Sequence, residues 1–454
     1  MRFALPWDGF GPSRNSRSSS GRGAARQRGS VLIIVLWVAF GLVSLTLYFA
    51  HAMTFELRAS DNRVAEVEAE QILDGAARYV SYLLSNEGTN GTLLDVSNHP
   101  HEGAGVGEGY YWLLGRSDRT GTPEEPFFGL VDEASKLNLN TASVEMLQLL
   151  PRMTPQLAAA IVDWRDADED LTTSGAEAET YARLRPPYKC KNAPFETVEE
   201  LRLVSGADLE LLYGEDTNWN GALDPNENDG NVTLPDDNRD GKWDPGLLEY
   251  VTVYSRESNT RTNVNNPQQL AAWLGEKLGA DRANQILRRP GVTAGNRSLL
   301  EFFIKSQMTA VEFAQVESGL TATNGTYIEG LVNVNTARAA VLTCIPGIGA
   351  EHAESLVSYR RSNPDKLASV AWVAEVLERS AAVQAGPYLT ARSYQVSADI
   401  AAVGHFGRGY RRARFVFDTS EGTAKLLCRQ DLSHLGWALG RQARQRLLLA
   451  KETR

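Results

Sequence analysis

Twelve residues near the middle of the chain carry its densest chemistry. The run Asp216-Thr-Asn218-Trp-Asn220-Gly221-Ala222-Leu223-Asp224-Pro-Asn-Glu227 places side-chain oxygens at positions 1, 3 and 5 (Asp216, Asn218, Asn220), with carboxylates at 9 (Asp224) and 12 (Glu227). Gly221 permits the sharp turn at position 6, and Ala222 offers its carbonyl at position 7. This spacing curls an oxygen-only shell round one point, the shell that a hard divalent cation such as Ca2+ requires.

A second run begins twenty residues later, Asp236-Asp-Asn238-Arg-Asp240-Gly241-Lys242-Trp243-Asp244. It offers oxygens from Asp236, Asn238, Asp240, the Lys242 carbonyl and Asp244, but position 12 is Leu247. The spacing leaves either a nonstandard site closed by Glu249 or a decayed loop, and a missing bidentate acid weakens affinity. Neither run is flanked by the long helices of an EF-hand sensor pair. Both read as isolated or dockerin-like loops that staple a domain.

The elements that must hold these loops include a repeat. Residues 138–165 (NLNTASVEMLQLLPRMTPQLAAAIVDWR) and 333–360 (NVNTARAAVLTCIPGIGAEHAESLVSYR) share Asn140/Asn335, Thr141/Thr336, Pro151/Pro346 and Arg165/Arg360 at a constant offset. Each copy reads as an Asn-rich entry, an amphipathic helix, a Pro turn and a second helix. A weaker start at Asn263-Val-Asn-Asn-Pro267 leads into one helical stretch. The two full copies resemble the helix-hairpin-helix module, the second best of all through Ile345-Pro-Gly-Ile-Gly349. In DNA-binding modules of that kind the hairpin glycines approach phosphate. The acidic surroundings here, with Glu351 and Glu354, argue instead for a helical packing module, because nucleic-acid affinity comes mainly from Lys and Arg at phosphates.

The ends of the chain set the compartment. Residues 1–29 hold six Arg and one acid, leaving 40 basic and 55 acidic residues in the rest of the 454. Val31 to Ala50 is an unbroken uncharged apolar run of about 30 Å as a helix, the thickness of a bilayer core. The Arg cluster before it is expected to stay cytoplasmic, which sends the body outward. A helical pattern without Pro continues to residue 86. Arg26-Gln-Arg-Gly29 meets Ser30 and the apolar run directly, and this boundary resembles the type IV prepilin leader. The resemblance implies cleavage by prepilin peptidase between Gly29 and Ser30, with methylation of the new N-terminus. Pilins mostly carry Glu at mature position 5, where this chain has Ile34. A carboxylate there is costly in lipid without a partner, so an apolar residue suits a subunit with no neighbour above it.

Strands are expected at Tyr110–Leu114, Phe127–Glu133, Tyr394–Ile400 and Arg414–Asp418, the last two separated by a Gly-rich turn at Gly404–Gly409. Strands before residue 135 and after 393 would join one sheet, with the helical, calcium-bearing part inserted between them. Together with Ile34 and the large body, this plan resembles the protein K family of type II secretion systems, the large minor pseudopilins, over nearly the whole mature chain.

The expected fold class is α+β: a long N-terminal transmembrane helix on a pilin-like antiparallel sheet, with a large, mostly α-helical insert of helix-hairpin-helix or SAM-like repeats and calcium loops. The expected organisation is a leader (1–29), an N-terminal helix (30–86, membrane-spanning at 31–50), the first part of the head (87–135) and the insert (136–390). The final strands (391–430) and a basic tail (431–454), disordered or a late helix, follow. The resemblance implies an inner-membrane protein with a periplasmic body. It caps a pseudopilus beside subunits similar to proteins I and J, and touches cargo or the outer-membrane channel. A membrane-anchored DNA receptor using Ile345–Gly349 is the rival reading. The sequence has no HExxH, GxSxG or Walker A motif, so no catalytic role is expected. Two of Cys190, Cys344 and Cys428 could pair outside the cytoplasm, and the sequence does not say which.

Overall fold

The computed structural model describes residues 28–88, 91–116, 123–233 and 236–452. Most of the expected leader, up to residue 27, lies outside them. The chain divides into two compact units, one ending at Asp61 and one beginning at Asn62.

The described part of the first unit is helix, the beginning of a 59-residue element, Arg28–Asn86. Among the described residues it is the one helix long and apolar enough to cross a membrane, and its most apolar stretch buries no side chain. Apolar residues on every face fit lipid surroundings rather than a protein core.

In the second unit the same helix becomes one-sided. Ala65, Ala69, Ile72, Leu73, Ala76, Val80 and Leu84 are buried, three or four residues apart, which is one face of a helix. That face packs on an antiparallel sheet. Its strands run in the order Ala104–Val106, Gly109–Leu114, Gln395–Val403, Arg411–Asp418 and Lys425–Asp431, and Val131–Asp132 also pairs with Gln395–Val403. Strand side chains alternate between faces. Tyr111, Leu113, Val396, Ala398, Ile400, Phe415 and Phe417 meet the long helix. Trp112, Leu114, Ala401 and Val403 pack on Ala438, Leu439 and Ala443. The basic tail is thus a helix, Gly440–Glu452. It covers one part of the sheet's second face. Gly404 and Gly409 let the chain turn against the long helix, since a Cβ at either would fall 2.4 or 2.3 Å from the backbone of Ala65.

The strand expected at Phe127–Glu133 shrinks to Val131–Asp132 and one bridge between Leu114 and Phe128. The Asp132 side chain accepts from the Ala134 amide and starts a 3-10 turn at Glu133–Ser135, which ends the extended run.

Between Asp132 and Gln395 the chain forms three modules on one apolar core. Each opens with a two-residue parallel strand pair: Leu137–Asn138 with Val251–Thr252, Thr262–Asn263 with Leu320–Thr321, and Val332–Asn333 with Leu389–Thr390. Asn138, Asn263 and Asn333 each accept from the amide two residues on, at 2.8, 2.8 and 3.0 Å. The next Asn in each, 140, 265 and 335, donates to a distant carbonyl of its own module, that of Phe195, Asn296 or Leu367. The weak start at Asn263 is therefore a full module. Its helices Pro267–Leu278 and Ala280–Leu287 turn at Gly279 with φ 85. The other hairpins place Arg152 and Gly347 in the same left-handed region, at φ 59 and 85.

Candidate metal centre

The first loop is closed by hydrogen bonds of its own side chains. Asp216 Oδ1 accepts from the Asn220 amide and Oδ2 from the Gly221 amide, both at 2.9 Å. Asn218 Oδ1 accepts from the Asn220 amide at 3.0 Å, and Asn220 Oδ1 from the Ala222 amide at 2.7 Å. Asn218 and Asn220 turn their Nδ2 groups to Asp224 Oδ2 at 2.6 and 2.9 Å. Glu227 comes back to the start: Oε1 accepts from the Thr217 amide at 3.0 Å and Oε2 from the Asp224 amide at 3.0 Å. Gly221, at φ 76, makes the turn.

Asp216, Asn220, Ala222 and Glu227 are fully buried, at 1% exposure or less. Burial pushes the Asp216 carboxyl up to about 6. Burial, then repulsion from Asp216 and Asp224, pushes Glu227 up to about 8. Asp216 and Glu227 are buried together and raise one another's cost as charged groups, with Arg116 partly offsetting it at Asp216. The donor set is oxygen only and so fits calcium rather than a softer metal.

Glu249 does not close the second loop. Its two oxygens are committed to Arg116 at 2.8 Å and Arg338 at 3.1 Å, and these cations hold it below the usual carboxylate range against the effect of burial. Asp244 is paired with Arg152 at 2.6 Å. Asp236, Asn238 and Asp240 are exposed, and Lys242 lies exposed beside Asp240. In place of Asp236, the neighbouring Asp237 organises the turn, accepting from the amides of Asp229, Gly230 and Arg239. This loop is held by side-chain-to-backbone bonds and a salt bridge.

The first loop is fastened to the sheet by residues that the sequence did not single out. Arg412, 0% exposed, donates to Asp399 at 2.8 Å through Nε and also reaches the Asn218 and Trp219 carbonyls. Arg116 donates to the Trp219 carbonyl at 3.1 Å. A second buried junction lies nearby, where Glu133 accepts from Arg414, Ser397 and Thr252 and faces Lys136 at 3.6 Å. Gln395, Ser397 and Asp399 alternate with the apolar residues of their strand, yet they are buried because the insert covers that part of the face. Arg412 and Arg414 sit two apart on the paired strand, opposite Ala401 and Asp399. Such a buried-face charge pattern is the one local signal that could have found the junction.

The hairpin at Ile345–Gly349 is turned inward. Ile345 and Ile348 are buried. A Cβ on Gly347 would fall 2.5 Å from the Ala381 carbonyl. The glycine therefore admits the helix Arg379–Ala385, while a Cβ on Gly349 would meet nothing within 4 Å. Cys190, Cys344 and Cys428 are all free.

Comparison with known proteins bears on this arrangement. A family model described as Type II secretion system (T2SS), protein K, matches residues 133–213, and a helix-hairpin-helix motif model matches 329–376. The chain is similar to type II secretion system protein K. The Klebsiella pneumoniae protein of that name is 29% identical over 204 residues, and the Pectobacterium carotovorum subsp. carotovorum protein 25% over 198. Each match covers 41% of this chain and 60% of the relative, less than two thirds of its length. A chain in the solved GspK-GspI-GspJ complex from the enterotoxigenic Escherichia coli type 2 secretion system superposes with a TM-score of 0.40 at 12% identity, covering 84% of this chain and 99% of that one. The T2SS model falls on the first helical module and the approach to the first loop, and the helix-hairpin-helix model on the third module.

Proposed function

We propose that this chain is a minor pseudopilin of a type II secretion system. It is anchored in the inner membrane with its N-terminus cytoplasmic and its body periplasmic. It caps the pseudopilus beside subunits similar to proteins I and J, and helps to start assembly of the filament that exports folded proteins across the outer membrane. The observation that carries this reading is the one helix Arg28–Asn86, apolar on all sides in its first part and buried on one face by an antiparallel sheet in its second. The similarity of the insert to protein K supports it. The work is assembly rather than catalysis: the loop at 216–227 binds calcium and staples the insert to the sheet through Arg412 and Arg116.

Processing tests the pilin part. Mass spectrometry of the protein from a host with prepilin peptidase is expected to show a mature chain beginning at Ser30 with a methylated amine. Gly29→Leu is expected to leave the full-length precursor. A mature chain starting at Met1, or beyond Ala50, sinks the assignment.

Ile34 tests the tip position. Ile34→Glu places a carboxylate in the apolar span, and the cost at a helix centre is about 2.5–3.5 kcal/mol for a charged residue on insertion scales. With no subunit above to supply an amine, the variant is expected to secrete poorly and to co-purify less of the other minor pseudopilins. Normal secretion with an unchanged complex would remove the argument from this position.

A further inference from the structure

Another group of carboxylates lies in the first helical module, apart from the 216–227 loop. Asp163 lies in the last turn of the helix Pro155–Arg165, and Asp166 caps its end. The chain then passes Asp168-Glu-Asp170, turns back through Ser174 at φ 69 and returns Glu177 to the helix end. Asp163, Asp166 and Glu177 each place one carboxylate oxygen within 4.8 Å of the others. The return loop is drawn tightly round Asp163, whose oxygens accept from the Thr172 and Ala176 amides at 3.3 and 2.8 Å. A Cβ at Gly175 would fall 2.0 Å from Asp163 Oδ2, so the approach needs glycine.

Glu177 separates this group from an ordinary acidic turn. The residue is 6% exposed, and both its carboxylate oxygens are buried without a hydrogen-bond partner. Asp166 Oδ1 is buried and unpartnered as well. None of the described ion pairs includes Asp163, Asp166 or Glu177. Asn192, whose Nδ2 donates to the Asp168 carbonyl at 2.9 Å, leaves its own Oδ1 buried and unpartnered. Buried polar atoms are almost always satisfied, so several bare oxygens together call for a partner that brings positive charge.

We infer that Asp163, Asp166 and Glu177 form a second divalent-cation site, independent of the 216–227 loop, that takes a hard ion of the calcium class. The donors are carboxylate oxygens, which suit calcium or magnesium rather than zinc or copper. The nearby Cys190 thiol donates to the Asp163 carbonyl at 3.8 Å. Carboxylates presented by an irregular loop suit calcium's variable coordination better than the stricter octahedron of magnesium. The ion ties the end of one helix to the start of the next, Ala178–Ala182. It thereby fixes the packing of Trp164, Tyr181 and Tyr188, whose rings lie 5.1 to 6.4 Å apart.

The test is calcium titration calorimetry on the full chain in detergent, stripped with chelator, with Mg2+ as the comparison ion. Glu227→Gln removes the loop site and is expected to retain one bound Ca2+ per chain. Glu227→Gln/Glu177→Gln and Glu227→Gln/Asp166→Asn are expected to bind none, a loss of at least tenfold in affinity. If the 216–227 loop does not bind calcium, wild type binds one ion and Glu177→Gln alone binds none, so the two sites are distinguishable. Glu227→Gln that binds no calcium, a double variant that binds as Glu227→Gln does, or a site filled by Mg2+ but not Ca2+ overturns the assignment. Where far-UV circular dichroism shows that the Glu177 variant is unfolded, the Asp166 variant decides between these outcomes.

Discussion

Glu133→Gln is expected to lower the stability of the body at neutral pH by about 3–5 kcal/mol, the usual cost of removing one partner from a buried ion pair. For a body running from Asn62 to the C-terminus, an unfolding entropy of about 2.1 cal/mol/K per residue makes this on the order of 5 °C in Tm. Glu133 is 0% exposed and answers both Arg414 and Lys136. Its loss strands two buried cations between the sheet and the insert. Burial alone would raise the Glu133 carboxyl, but Arg414, Lys136 and the hydroxyls of Ser397 and Thr252 hold it down to about 2, against an ordinary 4.5. A carboxylate with a depressed folded pKa stabilises fully above its unfolded pKa, and the contribution fades as pH falls through the folded one. The gap between wild type and Glu133→Gln is therefore expected to hold from pH 7 to about 5 and to narrow from there towards pH 2. Urea unfolding in chelator at pH 7, 5, 4 and 3 reads this directly. A constant gap, or none at pH 7, contradicts the role assigned to the junction.

Calcium is expected to raise the apparent Tm of the full chain in detergent, and part of that rise is expected to vanish in Glu227→Ala. Only three of the loop's side-chain ligands, Asp216, Asp224 and Glu227, are acidic, which places its Kd in the range of extracellular modules, on the order of 10⁻⁴–10⁻³ M. Binding to the folded state alone then contributes about 2.7 kcal/mol at a hundredfold excess of free ion. Chelation leaves the buried carboxylates of Asp216 and Glu227 facing one another, so residues 205–255 should lose hydrogen-exchange protection first. Carboxylates at 163–177 add their own calcium response, so the loop's share is the difference between wild type and Glu227→Ala. Identical responses in the two proteins would show that the loop spacing has been misread.

Local patterns carried much of this molecule. The apolar run from Val31 and the three-to-four-residue rhythm of Ala69, Ile72, Ala76 and Val80 specify the long helix, because a helix face is written within a few turns of sequence. Alternation specified the strand at Tyr394–Ile400, and short aromatic and aliphatic runs those at Tyr110–Leu114 and Arg414–Asp418, for the same reason. The oxygen spacing from Asp216 to Glu227 is also local, and the loop is closed there by hydrogen bonds of its own side chains. The middle module was only half legible: Asn263-Val-Asn265 was visible, but its second helix lacks the Pro turn that marks the other two copies.

The sequence by itself therefore determined the membrane-length helix, the main strands, the module entries and the first oxygen loop. Each depends on residues a few positions apart. Only the tertiary structure decided which acids are free to take a cation. Glu249, two residues beyond the closing position of the second loop, is taken by Arg116, 133 residues away, and by Arg338. Glu177, which no motif marks, is left bare beside Asp163 and Asp166. Arg412 joins Asp399 to carbonyls almost two hundred residues distant in the chain. Such pairings are selected by burial, where an unmatched charge is costly and a matched one is held, and burial belongs to the packed fold rather than to any stretch of sequence.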